Sequence, residues 1–378
     1  MKIAFDLRRI RNPGIGRYMK CLVEAILAQD ADHHYLLLLG SDAPGIGGSA
    51  RENVTELRVK SPYYSIREQF ELPRVLREHN ADLLHSPHFL LPLSRSCPAV
   101  ATIHDVIYLA CREDLPSPIG RLYYRAMMHS SARRASRVLT DSVFSKKEIV
   151  HYLGIDPEKI SIVYPAVDSQ FRQISDPAVL AGVPSKFGIE EGYVFYAGIY
   201  KPRKNHAGLL RAFRLFLDAG ASAQLVIAGS IGRGEARLRK LAAELDIAGR
   251  VVFTGGIEDF ELCALYSAAR LYVCPSLYEG FGFTVLEAMA CGTPVVCSDA
   301  ASLPEVAGDA ALYADAQEPD AFATAMYQVF TDREVRRALI ERGQRNLRRF
   351  SWTEAANSCL GLYAEVTGKS SGQPAMAN

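Results

Sequence analysis

Short apolar runs alternate with amphipathic stretches along most of the chain. Runs of about four to eight apolar and β-branched residues predict buried strands, and apolar residues repeating every three or four positions predict helices. The strand-like runs of the first half are KIAFDL, YLLLLG, ADLLHS, PAVATIHD, RVLTDS and ISIVYPAV. Helical patterns such as GRYMKCLVEAILAQ and FSKKEIVHYLG fall between them. This alternation predicts doubly wound α/β domains.

A polar, proline-containing stretch at residues 168–192 interrupts the alternation and is predicted to be the inter-domain linker. A second series then begins, with the strand-like runs YVFYAGI, AQLVIAG, VVFTGG, RLYVCPS, TPVVCSD and ALYADA. We therefore expect two Rossmann-like domains, residues 1–172 and 173–355, with a cleft between their open sheets. A helix at 356–367 could return to the first domain, and the small polar residues of 368–378 predict a disordered tail.

Composition excludes several classes of protein. The 378 residues are 49% hydrophobic and 22% charged, with a formal net charge of +1, so the chain is an ordinary globular protein without the basic surplus of a nucleic-acid binder. No apolar run approaches the roughly 18 residues of a membrane span, and the N-terminus MKIAFDLRRIRN differs from a signal peptide. We therefore expect a cytoplasmic location and no nucleic-acid partner.

The stretch YEGFGFTVLEAMACGTPVV keeps two carboxylates, Glu279 and Glu287, in an otherwise apolar and glycine-rich context. Its pattern predicts a glycine loop and a helix between two strands, which is a βαβ unit. Ligands bind outside the carboxyl ends of parallel strands, and the N–H groups of a helix N-terminus favour anions. Either the acids hold different parts of one elongated polar ligand, or they are a solvated loop acid and an acid stabilised by the helix dipole.

Other strand ends in the second half carry ligand-like residues. Arg203 and Lys204 follow the strand YVFYAGI, on a loop expected to be exposed, and two cations there suit a diphosphate. A solvated basic loop is the alternative. Gly229 opens the turn GSIGRG after the next strand, a weak match to a dinucleotide fingerprint that could also be a flexible connection.

The first half offers three comparable positions. Gly14 and Gly16 lie between the first strand and its helix, where a backbone without Cβ atoms lets a phosphate or sugar approach. Such a G-x-G is a weak signal, and tight-turn glycines are its commonest explanation. His104 ends the strand of ATIHD and could donate to a sugar hydroxyl or a developing charge; a histidine satisfied by the backbone is the alternative. A zinc site at His85, His88 and His104 is disfavoured because Pro87 breaks the helical spacing such sites use.

Together these segments resemble the retaining nucleotide-sugar glycosyltransferases of family four, which have the GT-B fold. The strongest match is their E-x7-E motif, here EGFGFTVLE, followed by AMACGTPVV. Supporting matches, in the expected order, are GIGRY, TIHD, VLTDSVFSKKEI, KISIVYPAVD, PRKN, LVIAG and FTGGI. The resemblance covers the chain to about residue 367, and it is closest to bacterial surface-polysaccharide mannosyltransferases.

The resemblance implies roles for these residues. Glu279 would bind hydroxyls of the donor sugar and Glu287 the ribose, so the acids would hold opposite ends of a nucleotide sugar. Arg203 and Lys204 would neutralise the leaving diphosphate. The backbone of Gly280, Phe281, Gly282 and Phe283 would bind the distal phosphate, and Gly14 and Gly16 would lie near the diphosphate. Gly229 would lie near the donor, Ile257 against its base and His104 beside its sugar. Many members carry an arginine where this chain has Ile199.

The implied reaction is transfer of a hexose, mannose from GDP-mannose, to a glycan or lipid-linked glycan acceptor, with retention of configuration and without a metal or other cofactor. The N-terminal domain would face the acceptor and the C-terminal domain would bind the nucleotide sugar. The basic and apolar segment 117–137 also predicts peripheral contact with anionic membrane at the inner face of the cell membrane. A non-hydrolysing nucleotide-sugar epimerase and a non-catalytic nucleotide-sugar sensor remain alternatives.

Overall fold

A computed structural model describes residues 1–12, 14–46, 51–230, 232 and 234–369 of the chain. The chain divides into two compact units. The first comprises Met1–Ala110, Leu115–Pro165 and the chain from Ser351 onward, and the second comprises Cys111–Asp114 and Ala166–Phe350. Both units are built on parallel sheets with helices, so the predicted doubly wound α/β organisation is confirmed.

The first unit has a seven-stranded parallel sheet in the order β3-β2-β1-β4-β5-β6-β7. Its strands are Lys2–Asp6 (β1), His34–Gly40 (β2), Val54–Val59 (β3), Leu83–Ser86 (β4), Ala99–Thr102 (β5), Arg137–Thr140 (β6) and Ile160–Ile162 (β7). Its first five helices are Ile15–Gln29 (α1), Glu68–Glu78 (α2), Ile107–Ala110 (α3), Pro118–Arg134 (α4) and Val143–Leu153 (α5).

Strand β3 is absent from the sequence-based prediction. Its sequence, VTELRV, buries only its first and last residues and leaves the rest half-buried or exposed. It lies at the edge of the sheet and pairs with β2 alone. An edge strand needs no continuous apolar run, so its polar residues hide the pattern that marked the central strands.

The final helix, Trp352–Thr367, packs against α1 in the first unit. Tyr363 of this helix is fully buried, and its hydroxyl lies 2.6 Å from Nδ1 of His85 at the end of β4. The other ring nitrogen, Nε2, lies 3.0 Å from Oγ1 of Thr102. Buried polar contacts from Tyr363 through His85 to Thr102 thus hold the helix against the sheet, in addition to its apolar face.

The second unit has a six-stranded parallel sheet in the order β10-β9-β8-β11-β12-β13. Its strands are Val194–Ala197 (β8), Leu225–Ala228 (β9), Val251–Gly255 (β10), Leu271–Cys274 (β11), Val295–Ser298 (β12) and Ala311–Ala314 (β13). Its helices are Pro177–Lys186 (α6), His206–Asp218 (α7), Gly234–Glu244 (α8), Asp259–Ala268 (α9), Phe283–Ala290 (α10), Leu303–Ala307 (α11), Pro319–Thr331 (α12) and Arg333–Asn346 (α13), which makes the final helix α14.

Helix α6 lies inside the segment expected to be a linker. Asp176 caps it, because its Oδ1 accepts a hydrogen bond of 2.9 Å from the backbone N–H of Ala178. Pro177 occupies the first helical position, where the missing N–H costs nothing. The prolines that suggested a loop are therefore compatible with a short helix, of which only Pro184 is buried.

Both sheets reverse their strand order once, between β1 and β4 in the first unit and between β8 and β11 in the second. The carboxyl ends of the two strands at such a reversal diverge into loops on opposite faces and leave a crevice for ligands. In the second unit, the loops after β8 and β11 are the segments that carry Arg203, Lys204 and Glu279. The topology of this unit therefore brings the predicted cations and the first acid to one sheet edge.

Candidate active site

Lys204 and Glu279 form a buried ion pair at the reversal point of the second sheet. Lys204 Nζ lies 2.5 Å from Glu279 Oε1, and the two side chains are 14% and 10% exposed. Lys204 ends the 3-10 turn Pro202–Lys204 after β8, whereas Glu279 follows β11. The structure therefore excludes a solvated acid at Glu279, and the expectation that this basic loop is exposed is wrong for Lys204.

The pair keeps Glu279 ionised. Burial alone would raise the pKa of the carboxyl, but the charges of Lys204 and Arg203 and the hydrogen bond from Lys204 outweigh it and lower the pKa. An ionised carboxylate has no proton to give, so Glu279 can accept hydrogen bonds from hydroxyl groups but cannot act as a general acid near neutral pH.

Arg203 is also held by a carboxylate. Its Nε lies 2.9 Å from Oδ2 of Asp114, and the side chain is 14% exposed, so it too departs from the expected exposed loop. The geometry of this contact is that of an ion pair without a hydrogen bond. Among the described residues, Arg203 Nε and Nη1 and both Asp114 oxygens lack a hydrogen-bond partner. Arg203 thus retains buried N–H donors that could donate hydrogen bonds to an anion.

The loop between β11 and α10 is shaped by backbone constraints. Gly282 adopts φ +115°, which favours glycine, and precedes the first residue of α10, Phe283. Ser302 Oγ lies 2.9 and 2.7 Å from the carbonyl oxygens of Glu279 and Phe281, between which its single proton is shared. Within the described chain no side chain caps α10, so the N-terminus of this helix can receive an anion.

Glu287 lies one turn into α10 and is 6% exposed. The hydroxyl of Tyr266, on α9, donates to Glu287 Oε2 at 3.2 Å. The two acids of the motif therefore differ in these contacts, since Glu279 pairs with a cation and Glu287 accepts from a neutral hydroxyl. This difference fits two acids that hold chemically different groups.

Two further predicted positions lie at the same edge of the second sheet. Gly229 directly follows β9, and a Cβ atom there would lie 2.4 Å from the carbonyl oxygen of Gly198. Close packing of the loops after β8 and β9 therefore accounts for glycine at this position. Ile257 follows β10 and is half-buried. Their contacts with a donor stay predictions.

Gly14 and Gly16 open helix α1 of the first unit. Gly14 is the residue before the helix and has φ +76°. A Cβ atom at Gly16 would lie 2.0 Å from the carbonyl oxygen of Ile10, so the chain itself requires glycine there. The local backbone explains both residues, and their approach to a diphosphate stays a prediction.

His104 follows β5 and is held by polar partners on two other loops. Its Nδ1 lies 2.7 Å from Asp141 Oδ2, and its Nε2 lies 3.2 Å from the carbonyl oxygen of Pro87. Burial would lower the pKa of His104, but the charge and hydrogen bond of Asp141 outweigh it and raise the pKa. Because both partners accept, this site favours the doubly protonated ring. The ring of Tyr18 packs edge-on at 4.6 Å.

Comparison with known proteins decides the family. Residues 13–171 match the family model Glycosyltransferase Family 4, and residues 184–346 match Glycosyl transferases group 1. The chain is 36% identical to O-antigen chain mannosyltransferase B of Escherichia coli, over 96% of this chain and 99% of that protein. The chain belongs to the family 4 glycosyltransferases.

Two more distant similarities agree with this assignment. An O-antigen chain mannosyltransferase of Salmonella typhimurium is 26% identical, over 81% of this glycosyltransferase and 82% of that protein. Among solved structures, sucrose-phosphate synthase of Thermosynechococcus elongatus superposes with a TM-score of 0.79 at 21% identity, over 98% of this chain and 100% of the other. The fold is GT-B, and the enzyme is a glycosyltransferase rather than an epimerase or a sensor.

Several site residues of this glycosyltransferase lie outside the motifs that indicated ligand binding. Asp141 was overlooked although it follows β6 at the sheet edge where ligand-binding residues are expected, so its position was a usable signal. Asp114 and Tyr266 carry no such signal, because one ends the 3-10 turn Arg112–Asp114 and the other lies on a helix, so neither follows a strand. Their relation to Arg203 and Glu287 emerges only from the folded chain.

Metal-binding clusters and membrane-spanning helices are both absent from the described residues. No group of three or more histidine, cysteine, aspartate or glutamate side chains in the described ranges is arranged to hold a metal ion. No helix in the same part of the glycosyltransferase is both long and apolar enough to cross a membrane.

Proposed function

We propose that this glycosyltransferase transfers mannose from GDP-mannose to a surface-polysaccharide glycan, free or lipid-linked, with retention of configuration. Support for mannose comes from the relatives in Escherichia coli and Salmonella typhimurium, which are both O-antigen chain mannosyltransferases. The observation that carries the chemistry is the buried pair of Lys204 and Glu279 at the reversal point of the second sheet. In this pair a cation that can bind phosphate lies beside a carboxylate that can accept hydrogen bonds from sugar hydroxyls.

Departure of the diphosphate is the costly step of such a reaction, because negative charge grows on the leaving group. In our proposal Lys204 and the free donors of Arg203 stabilise that charge, and the N-terminus of α10 adds its N–H groups. These groups supply the positive charge that a divalent metal gives in other transferases. The proposed reaction is therefore independent of metals.

In our proposal the two acids bind different parts of the donor. Glu279, kept ionised by its cations, accepts hydrogen bonds from hydroxyls of the transferred sugar. Glu287, which accepts a hydrogen bond from the Tyr266 hydroxyl, also accepts from the ribose. Neither acid is proposed as a nucleophile, and the leaving phosphate takes the proton of the acceptor hydroxyl.

Peripheral membrane contact by the first unit is part of the proposal. Helix α4 exposes Ile119, Leu122 and Tyr123, which are 82%, 70% and 53% accessible. Leu122 and Tyr123 lie three and four positions after Ile119, on the same side of the helix as that residue. Arg125 is exposed close by. An apolar face with a nearby cation suits the headgroup region of an anionic leaflet, where lipid-linked acceptors are presented.

Two arginines of the basic segment 117–137 have partners within the chain. Arg134 Nη2 donates to the carbonyl of Leu91 at 3.2 Å, and Arg137 pairs with Glu365 of α14. Replacing these arginines would disturb the fold, so the membrane is better tested at the apolar residues. We expect the variant Leu122→Ser, Tyr123→Ser to co-sediment with anionic vesicles several-fold less than the native enzyme at low salt. If the native enzyme ignores such vesicles, the membrane contact is excluded.

The donor is tested by thermal shift with GDP-mannose, UDP-glucose, GDP and UDP. A ligand at 100 times its Kd adds about 2.7 kcal/mol of apparent stability, so the true donor should raise the transition most. The anomeric configuration of the product, read by NMR with and without EDTA, then tests retention and metal independence. Strong stabilisation by UDP-glucose alone would reject GDP-mannose, and loss of activity in EDTA would reject the metal-free mechanism.

A further inference from the structure

The second unit contains a cavity of about 360 Å³ between the turn after β8, helix α7 and helix α8. The residues that matter for its chemistry are Tyr200, Lys201, His206, Arg211, Arg237 and Lys240. Neither Arg203, Lys204 nor Glu279 lines it. The cavity is therefore separate from the buried ion pairs, although its wall includes residues of the same turn.

The charges around this cavity are poorly compensated. It has four cations, Lys201, Arg211, Arg237 and Lys240, and one acid, Glu244, whose Oε1 lies 3.6 Å from Lys240 Nζ. Within the described residues the other three cations have no carboxylate within 4 Å.

Neighbouring arginines on the same two helices are paired. On α7, Arg214 lies 2.9 Å from Asp218, and on α8, Arg239 lies 2.8 Å from Glu235. Neither paired arginine lines the cavity. On these two helices, therefore, the arginines outside the cavity are paired with carboxylates, whereas Arg211 and Arg237, which line the cavity, are not.

His206 supplies an independent sign of a ligand. It is the first residue of α7 and 2% exposed, and both its ring nitrogens lack a hydrogen-bond partner in the described part of the chain. Burial and the nearby Lys204 charge lower its pKa to about 4, so the ring is neutral at pH 7 and one nitrogen carries a proton. A buried N–H without an acceptor is costly, and an anion in the cavity would satisfy it.

Tyr200 gives the cavity an aromatic wall. Its ring lies 5.5 Å from that of His206, and it packs so closely on Gly234 that a Cβ atom there would lie 2.3 Å from the Tyr200 ring. Glycine at position 234 is therefore required for the Tyr200 ring to lie where it does. The cavity combines a flat apolar surface with cations and a helix N-terminus.

We propose that this cavity binds a small organic phosphate, with the phosphate at Arg211, Arg237 and the N-terminus of α7 and the organic part against Tyr200. Guanidinium groups and helix N-termini both recognise phosphate oxygens through N–H donors. Three observations support the site: uncompensated cations, the unsatisfied histidine and the aromatic wall. A phosphorylated metabolite and a lipid headgroup share this chemistry.

Occupancy of the cavity would restrain the turn that carries the catalytic cations. Asn205 lines the cavity and caps α7, because its Oδ1 accepts from Gly208 N–H at 3.2 Å. Its Nδ2 donates to the carbonyl of Ala316 at 2.7 Å. Lys204 directly precedes this cap, so a ligand on one side of the turn and a donor on the other contact the same short segment.

The site is tested by calorimetry with inorganic pyrophosphate and the full-length protein. We expect two classes of binding site in the native protein, of which the double variant Arg211→Gln, Arg237→Gln weakens one at least tenfold. The matched control is Arg214→Gln, Arg239→Gln, which removes the same charge from the same helices outside the cavity. The control should keep both classes.

Equal weakening in both double variants would show diffuse electrostatic attraction and overturn the proposal. So would a single class of sites that Lys204→Ala abolishes, because pyrophosphate would then bind at the buried ion pairs alone. Vesicles of phosphatidylglycerol distinguish the source. If Arg211→Gln, Arg237→Gln loses vesicle binding and the control variant keeps it, the natural ligand is a lipid phosphate. If the same variant loses pyrophosphate binding but still binds vesicles, the natural ligand is a soluble phosphate.

Discussion

The carboxyl-terminal edges of the two sheets carry different ion pairs on similar topologies. At the first edge His104 lies 2.7 Å from Asp141, and at the second Lys204 lies 2.5 Å from Glu279. Each pair joins two loops that follow different strands. The histidine changes charge as pH rises through its raised pKa, whereas the lowered pKa of Glu279 keeps that carboxylate ionised throughout the neutral range.

This difference suggests a division of tasks. A leaving diphosphate needs positive charge that is present at every working pH, and the second edge supplies it with lysine and arginine. A histidine is suited to a position where charge or a donated proton is adjusted. Comparing variants of the two pairs under the same conditions therefore tests whether one edge is permanently charged and the other titrates.

The largest effect is expected for Lys204→Ala. Loss of a cation that stabilises the leaving group should lower kcat/KM by about 100-fold to 1,000-fold, which corresponds to about 2.7–4 kcal/mol. The loss should be nearly constant between pH 6 and 9, because the lowered pKa of Glu279 keeps that carboxylate ionised throughout this range. Steady-state kinetics with saturating acceptor measures it.

A second variant separates catalysis from folding. Lys204→Ala leaves the buried Glu279 carboxylate without its closest partner, which can cost about 3–5 kcal/mol of stability. The double variant Lys204→Met, Glu279→Gln removes both charges and should recover thermal stability while remaining inactive. Recovery of activity along with stability would show that the pair is only structural.

A smaller, pH-dependent effect is expected for Asp141→Asn. The raised pKa of folded His104 means that the pair contributes stability fully below the ordinary histidine pKa of about 6.5 and loses it as pH rises through the folded-state pKa. The variant should therefore be least stable relative to the native enzyme below pH 6.5. NMR titration of the His104 ring should show its pKa lowered by about one unit or more, a tenfold change in its ionisation ratio.

The alkaline limb of the kcat/KM profile gives the functional side of this test. If protonated His104 assists the reaction, this limb should move to lower pH in Asp141→Asn by the same amount as the ring pKa. The groups around His104 that could mask the shift are Asp105, Tyr18, His85 and His88. An alkaline limb that stays in place while the ring pKa falls would remove His104 from the catalytic machinery.

The sequence located the strand ends but not all the partners of their side chains. The central strands could be predicted because buried parallel strands are almost continuously apolar, as VFYA and LYVC are. Lys204 and Glu279 could be placed at one edge because both follow strands that are neighbours across the reversal point. Edge strand β3 and helix α6 were missed because half-buried polar residues and prolines disguise them.

Side-chain partners depend on distances that no spacing in the sequence encodes. Asp114 precedes Arg203 by 89 positions, yet the two side chains meet at 2.9 Å. His85 likewise reaches Tyr363, 278 positions later. A sequence pattern can indicate that a cation lies at a sheet edge, but only the folded chain shows that it is neutralised there. This is why the basic loop was expected to be exposed.

The smallest effect is expected for Tyr363→Phe, which provides a neutral reference for the charged pairs. The variant removes one buried hydrogen bond to His85 and should destabilise α14 by about 1 kcal/mol. Amide hydrogen exchange in Trp352–Thr367 should then be about fivefold faster than in the native enzyme, because local opening costs less. Tyr327→Phe, in the second unit, is the control and should leave this exchange unchanged.

The pH dependence of that small effect sharpens the contrast with Asp141→Asn. Burial and the nearby His104 charge lower the pKa of His85 to about 3, so its ring is neutral at both pH 6 and pH 8. The ratio of exchange rates between Tyr363→Phe and the native enzyme should therefore be equal at the two values. A ratio that grows toward pH 6 would mean that His85 also carries charge, and the titrating group of the first edge would then be a histidine pair rather than His104 alone.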